Sequence, residues 1–167
     1  MAFTPVRRRV VSVVVLGLAA ILAAGLYLFQ PWRVFTNVRV DEAAIVAPDE
    51  GTVRTVATGS FISQEHSTSG TLTIRELPGG EVVLRLTDLH TLDGPALRVW
   101  LSDQPVEPGL GRNLDDGEYV DLGALKGNEG NQNYAVPAEA DLTSLRTVTV
   151  WCERFSVSFG AAALEPA

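Results

Sequence analysis

The sequence predicts an all-β domain, an antiparallel β-sandwich or barrel-like fold, preceded by one N-terminal transmembrane helix. Three observations carry that reading. An uncharged apolar run lies near the N-terminus, polar and apolar residues alternate from Gly59 onward, and turn signals recur at short intervals between the alternating stretches.

The anchor comes first. Residues 10–29 are 20 positions without a charge, and only Ser12 and Tyr27 among them are mildly polar. At about 1.5 Å per residue such a helix covers roughly 30 Å, the thickness of a bilayer's hydrocarbon core. Arg7, Arg8 and Arg9 precede the run, and a positive flank stays cytoplasmic. Pro31 ends the helix, while Tyr27 and Trp32 fall where amphipathic aromatics prefer the interface. A cleaved signal peptide is the competing reading, but its apolar core usually runs about 7–15 residues. Leu22-Ala23-Ala24, the best cleavage box, has Leu where a small residue belongs, and no cysteine follows the run directly to make a lipoprotein anchor. The expected organisation is a cytoplasmic tail over residues 1–9, an anchor over 10–30, a tether over 31–57 and a β domain over 58–165. The expected location is the cell membrane, single-pass, with the N-terminus cytoplasmic and the C-terminal domain extracytoplasmic.

Charge divides sharply at the anchor. The chain has 13 Lys+Arg and 20 Asp+Glu, and setting aside Arg7, Arg8 and Arg9 leaves 10 basic residues against 20 acidic ones, a net of −10. That balance excludes nucleic acid as a partner and disfavours anionic lipid. The expected partners are membrane lipid, through residues 10–30, and an extracytoplasmic protein or redox partner. One cysteine, Cys152, cannot form an internal disulfide, so packing alone must hold the domain together.

The elements follow in order. The tether carries Pro48 and the acidic pairs Asp41-Glu42 and Asp49-Glu50, and reads as an extended spacer, although Val38, Val40 and Ile45 could form a short strand. Thr71-Leu72-Thr73-Ile74-Arg75 alternates as a half-buried strand, Pro78-Gly79-Gly80 turns, and Glu81-Val82-Val83-Leu84-Arg85-Leu86 pairs back. Gly94-Pro95 marks a bend before a strand at Ala96-Leu97-Arg98-Val99-Trp100-Leu101. A polar loop over residues 102–117 leads to a strand at Tyr119-Val120-Asp121-Leu122-Gly123, and residues 127–133 read as another tight polar connection. Residues 146–159 are the most β-prone run. Val148, Val150 and Cys152 share one parity there, and Phe155, Val157 and Phe159 the other. A bulge or bend near Glu153-Arg154 would reconcile them, as would a strand covered on both faces with Trp151 opposite. Either way, Cys152 points inward.

Candidate chemistry is sparse. Cys152 among apolar neighbours reads first as a small buried hydrophobe, whereas a reactive thiol needs exposure and a positive neighbour, which Arg154 could supply. His66 and His90 are the only histidines. His66 lies in a polar approach to a strand, and a His66/Cys152 pair could hold a cofactor if the fold joins them, without any HxxxH, CxxC or CxxCH spacing to specify it. Asp115-Asp116-Gly117-Glu118 with Asp121 lacks EF-hand spacing and reads as a solvated loop, so no metal site is expected. No motif supports hydrolase chemistry.

Several of these blocks together resemble the DM-thirteen domain, found beside DOMON domains in animal cell-surface proteins and alone in bacteria. They are Gly59-Ser60-Phe61 with His66 and Ser69-Gly70, Gly94-Pro95-Ala96-Leu97-Arg98-Val99-Trp100-Leu101-Ser102, Asp121-Leu122-Gly123-Ala124-Leu125-Lys126-Gly127-Asn128, Gly130-Asn131-Gln132-Asn133-Tyr134, and Val150-Trp151-Cys152-Glu153-Arg154-Phe155 through Ala161. The likeness covers residues 59–164 in order, and the Pro31-Trp32-Arg33 junction resembles that of anchored bacterial members. It implies a proposed extracytoplasmic electron-transfer module whose hallmark cysteine, here Cys152, acts as a bare thiol or binds a prosthetic group, with haem a candidate. The alternative is a non-catalytic cell-surface binding or interaction module, with Cys152 structural and the polar stretch around residues 128–134 in recognition.

Overall fold

A computed structural model of the chain describes residues 5–45, 53–109 and 111–167. Pro48 and the acidic pair Asp49-Glu50 of the tether lie outside the described residues. The first element, helix α1 (Pro5–Phe29), is long and apolar enough over Arg7–Phe29 to cross a membrane, and it buries none of that surface in the protein. A short 3-10 turn, Pro31–Phe35, follows.

Eleven strands among the described residues form two facing sheets, as the alternating sequence predicts. The first sheet runs β1 (Arg39–Asp41), β8 (Glu129–Val136), β5 (Val82–His90), β4 (Ser69–Glu76), β2 (Arg54–Ser60), β11 (Glu165–Pro166). The second runs β3 (Ile62–Ser63), β10 (Val157–Ala163), β9 (Thr147–Cys152), β6 (Leu97–Ser102), β7 (Tyr119–Ala124). All pairings are antiparallel except β1 with β8. The inward residues of the two sheets make one core, with Leu72, Ile74, Leu84 and Leu86 facing Val99, Leu101, Val148, Val150 and Cys152. Deleting one such aliphatic side chain to alanine costs about 2–5 kcal/mol.

Three expectations need correcting. Residues 127–133 are not a tight connection, because Glu129 to Val136 form β8, paired along both edges. A run of Asn and Gln tolerates a strand here because the fold supplies each amide with partners. Gln132 is fully buried; its carbonyl accepts from the backbone N–H of Lys126 and Gly127 and from the Tyr134 hydroxyl, and its amide donates to the Gly127 carbonyl. Second, the tether is more than a spacer, since its β1 joins β8 in parallel and Glu42 accepts from Lys126 Nζ at 2.7 Å and from the Asn133 N–H at 2.7 Å. Third, residues 146–159 are two strands. The turn 153–156 folds β10 back on β9, so the parity change is a hairpin rather than a bulge near Glu153. Both faces of β9 are covered, with Trp151 in a second cluster beside Trp100 and Leu114.

Candidate functional site

The site is built where the β9–β10 hairpin meets the root of α1. β9 is short and β-branched, so it runs straight through the core and delivers Cys152 at its end, directly opposite Leu97 on β6 and Val157 on β10. Cys152 is fully buried, and its thiol donates to the Pro95 carbonyl at 3.2 Å. Burial raises the thiol's pKa above its ordinary value and outweighs the nearby Arg154 charge that would lower it. Arg154 instead turns its guanidinium to the C-terminus of α1, donating to the carbonyls of Leu28 at 2.6 Å and Tyr27 at 3.3 Å. Those carbonyls have no helical partner, and a cation suits that end of the helix dipole.

Around this hairpin lies a groove of about 300 Å3. Phe29, Phe155, Phe159, His66, Pro95 and Val157 give it an aromatic and apolar lining, and Arg33, Asp93, Glu65 and Arg112 supply charge. Phe29 stacks on Phe155 at 5.9 Å between centroids, and His66 meets Phe159 edge-on at 4.1 Å. Two glycines make room for Phe159 and its strand. A Cβ on Gly94 would stand 2.8 Å from Phe159 Cζ, and one on Gly160 would collide with Thr68. Arg33 fixes the rim, pairing with Asp93 at 2.9 Å and donating to the Gly94 carbonyl at 2.7 Å.

Backbone strain collects in the same place. Four non-glycine residues among those described have positive φ, and three border this site. Gln30 (φ 43°) lies in the groove wall, Ala96 (φ 59°) joins Pro95 to Leu97, and Ser156 (φ 48°) joins Phe155 to Val157. The left-handed conformation costs an L-residue about 1–2 kcal/mol. Both chain segments that touch Cys152 are therefore held in a disfavoured shape.

A family profile described as electron transfer DM13 matches residues 60–164. The match covers more than half of the chain. This chain belongs to the electron transfer DM13 family. No curated protein and no solved structure matches it.

In this DM13 domain the fold brings His66 and the Cys152 hairpin to one end, but not into contact. His66 lines the groove, while Cys152 lies behind Pro95 and Val157 and is absent from the lining. An axial haem ligand must present its donor atom to an open plane, whereas the Cys152 sulfur faces a backbone carbonyl inside the core. The groove also sits at the lower end of the size range of small-molecule sites. Haem ligation by Cys152 does not fit this arrangement. His90, the last residue of β5, is outside the groove lining; it lines a neighbouring pocket with Phe35 and Leu92 and lies 3.4 Å from Glu129. The acidic loop collects no metal-binding group among the described residues, and Asp121 pairs with Arg98 at 2.6 Å. Sequence reasoning missed the groove residues Phe29, Arg33, Pro95, Phe155 and Phe159. Only the Gly94-Pro95 bend and the aromatic parity switch hinted at them.

Proposed function

We propose that this protein is a single-pass, membrane-tethered module of extracytoplasmic electron transfer, with Cys152 as its redox group and the groove as the port to it. The observation that carries the reading is the position of Pro95 and Val157. Both touch Cys152 and both line the groove, so one residue layer separates the sulfur from solvent. The strained links at Ala96 and Ser156 lie on either side of that layer and lower the cost of opening it. Once exposed and ionised, the thiolate attacks a disulfide of a partner protein. A mixed disulfide forms, the partner's second sulfur leaves as a thiolate, and the thiol proton passes to water. Arg7, Arg8 and Arg9 before the apolar helix support an N-terminus on the cytoplasmic side and the β domain outside.

A second reading has its own support. The thiol is fully buried, hydrogen-bonded and part of the main core, as a structural cysteine in an interaction module would be. Thiol-labelling rates of the full chain in detergent separate the two. The redox reading expects labelling under native conditions much faster than global unfolding allows, through local opening of the hairpin. Labelling that tracks global unfolding, with no faster route, selects the structural role.

A further inference from the structure

α1 leaves the sandwich without packing along it, since none of its apolar face is buried. Its root is nonetheless fixed to the domain. Phe29 stacks on Phe155, Arg154 holds the carbonyls of Leu28 and Tyr27, and Arg33 holds Asp93 and the Gly94 carbonyl. Thr36 adds a hydrogen bond to Asp93 at 2.7 Å. Only Gln30 lies between the helix and the turn that carries Arg33, so no free linker separates anchor from domain. A helix that crosses the bilayer would therefore draw this end of the sandwich down to the headgroup layer.

The same end exposes an unusual amount of apolar surface. Phe35 is 89% exposed, Trp32 50%, Phe155 39% and Leu92 37%, all beside the residues that grip the helix. Nothing within the described protein covers them, and aromatic side chains favour the boundary between hydrocarbon and water. Arg33, Arg112 and Arg154 stand here against Glu65, Asp93 and Glu153, so this end is close to neutral in an outer region whose net charge is −10, with 10 basic and 20 acidic residues after Arg9. A near-neutral end meets less repulsion at a phosphate surface than the rest of the acidic domain would.

We infer that the anchor end of the sandwich docks on the bilayer surface itself, with Phe35, Leu92 and Phe155 in the headgroup layer and the groove opening beside it. The docking rests on α1 as a membrane span and is independent of the chemistry of Cys152. For the redox reading its consequence is directional: a partner reaches the groove along the membrane plane. The far end of the molecule, the β4–β5 hairpin near Glu81, then stands about 30 Å away, the length of a nine-residue strand.

The full chain in phosphatidylcholine nanodiscs carrying a headgroup nitroxide provides the test. In a Cys152→Ala background, a fluorophore is placed by Phe155→Cys, Leu92→Cys or Glu81→Cys. Strong quenching is expected at 155 and 92, and little at 81. Leu92→Cys leaves the Phe29–Phe155 stack intact, so it reports even if Phe155→Cys loosens the root. Equal quenching at 92 and 81 means a domain swinging freely on its anchor, and overturns the inference. The result does not depend on whether the thiol reacts, so it can fail while the redox reading stands, and the reverse.

Discussion

At the β1–β8 edge, polar side chains hold the tether, and every partner they need is present. At the anchor end, an aromatic stack and Arg154 hold the helix, Arg33 and Thr36 hold the turn after it to Asp93, and the backbone beside them is strained. The first junction uses Glu42, Lys126, Asn133 and a buried Gln132 with four hydrogen bonds. The second uses Phe29, Phe155 and Arg154, next to left-handed Ala96 and Ser156. Satisfied polar networks specify one arrangement and resist opening. Strained turns persist only while their surroundings hold them, and they are the places a fold opens at least cost. On the proposed function the two junctions divide the work: one fixes the domain, and the other is where the buried cysteine would be reached.

The largest test of this contrast is Gln132→Ala. It orphans the buried N–H and carbonyl of Gly127 and removes the close acceptor of the Tyr134 hydroxyl, whose pKa burial has already pushed up to about 12, while the Lys126 N–H keeps the Tyr134 oxygen at 3.1 Å. A loss of about 3 kcal/mol is expected in urea unfolding of the full chain in detergent. A loss below about 1 kcal/mol would mean that water or a rearranged loop replaces the network, and that the tether junction is no more rigid than the anchor end.

Cys152→Ala should cost less, about 1–2 kcal/mol, through the lost sulfur contacts and an unpaired Pro95 carbonyl. Its effect also depends on pH. Because burial raises the folded-state pKa of the thiol, the unfolded chain ionises first as pH rises. The stability this contributes is complete below the unfolded value, about 8.5, and is lost as pH climbs toward the folded value. The cost of Cys152→Ala is therefore expected to shrink between about pH 7 and about pH 10. A cost that stays constant over that range would show that the thiol does not resist ionisation when folded.

The two junctions also differ in how far the sequence revealed them. The β4–β5 hairpin was legible because Pro78-Gly79-Gly80 and strict alternation are local signals. The inward face of Cys152 was legible from its parity with Val148 and Val150. β8 was hidden, since Asn131, Gln132 and Asn133 have low intrinsic strand preference and become a strand only when β5 and β1 flank them. The groove was hidden for the same reason. Phe29 and Phe155 are 126 residues apart in the chain, and no local pattern announces their stack. His66 stood out as a residue type, but its place against Phe159 depends on Gly94, Gly160 and the register of β10.

The smallest expected effect bears most directly on the strained side of the comparison. Ala96→Gly and Ser156→Gly each remove the left-handed penalty of about 1–2 kcal/mol, and each gives back roughly 0.5–1 kcal/mol through the freer unfolded chain. The net gain is about 0.5–1 kcal/mol per site, opposite in sign to the usual effect of introducing glycine. Neither substitution deletes a contact of Cys152, because the thiol's acceptor is the Pro95 carbonyl and its strand partners are Leu97 and Val157. If strain at these links sets the cost of opening, relieving it stabilises the closed state and slows native thiol labelling by about 2- to 5-fold, the ratio that such a free-energy gain corresponds to. Labelling that stays at the wild-type rate in both variants, while global stability rises, would put the opening somewhere other than the two strained turns.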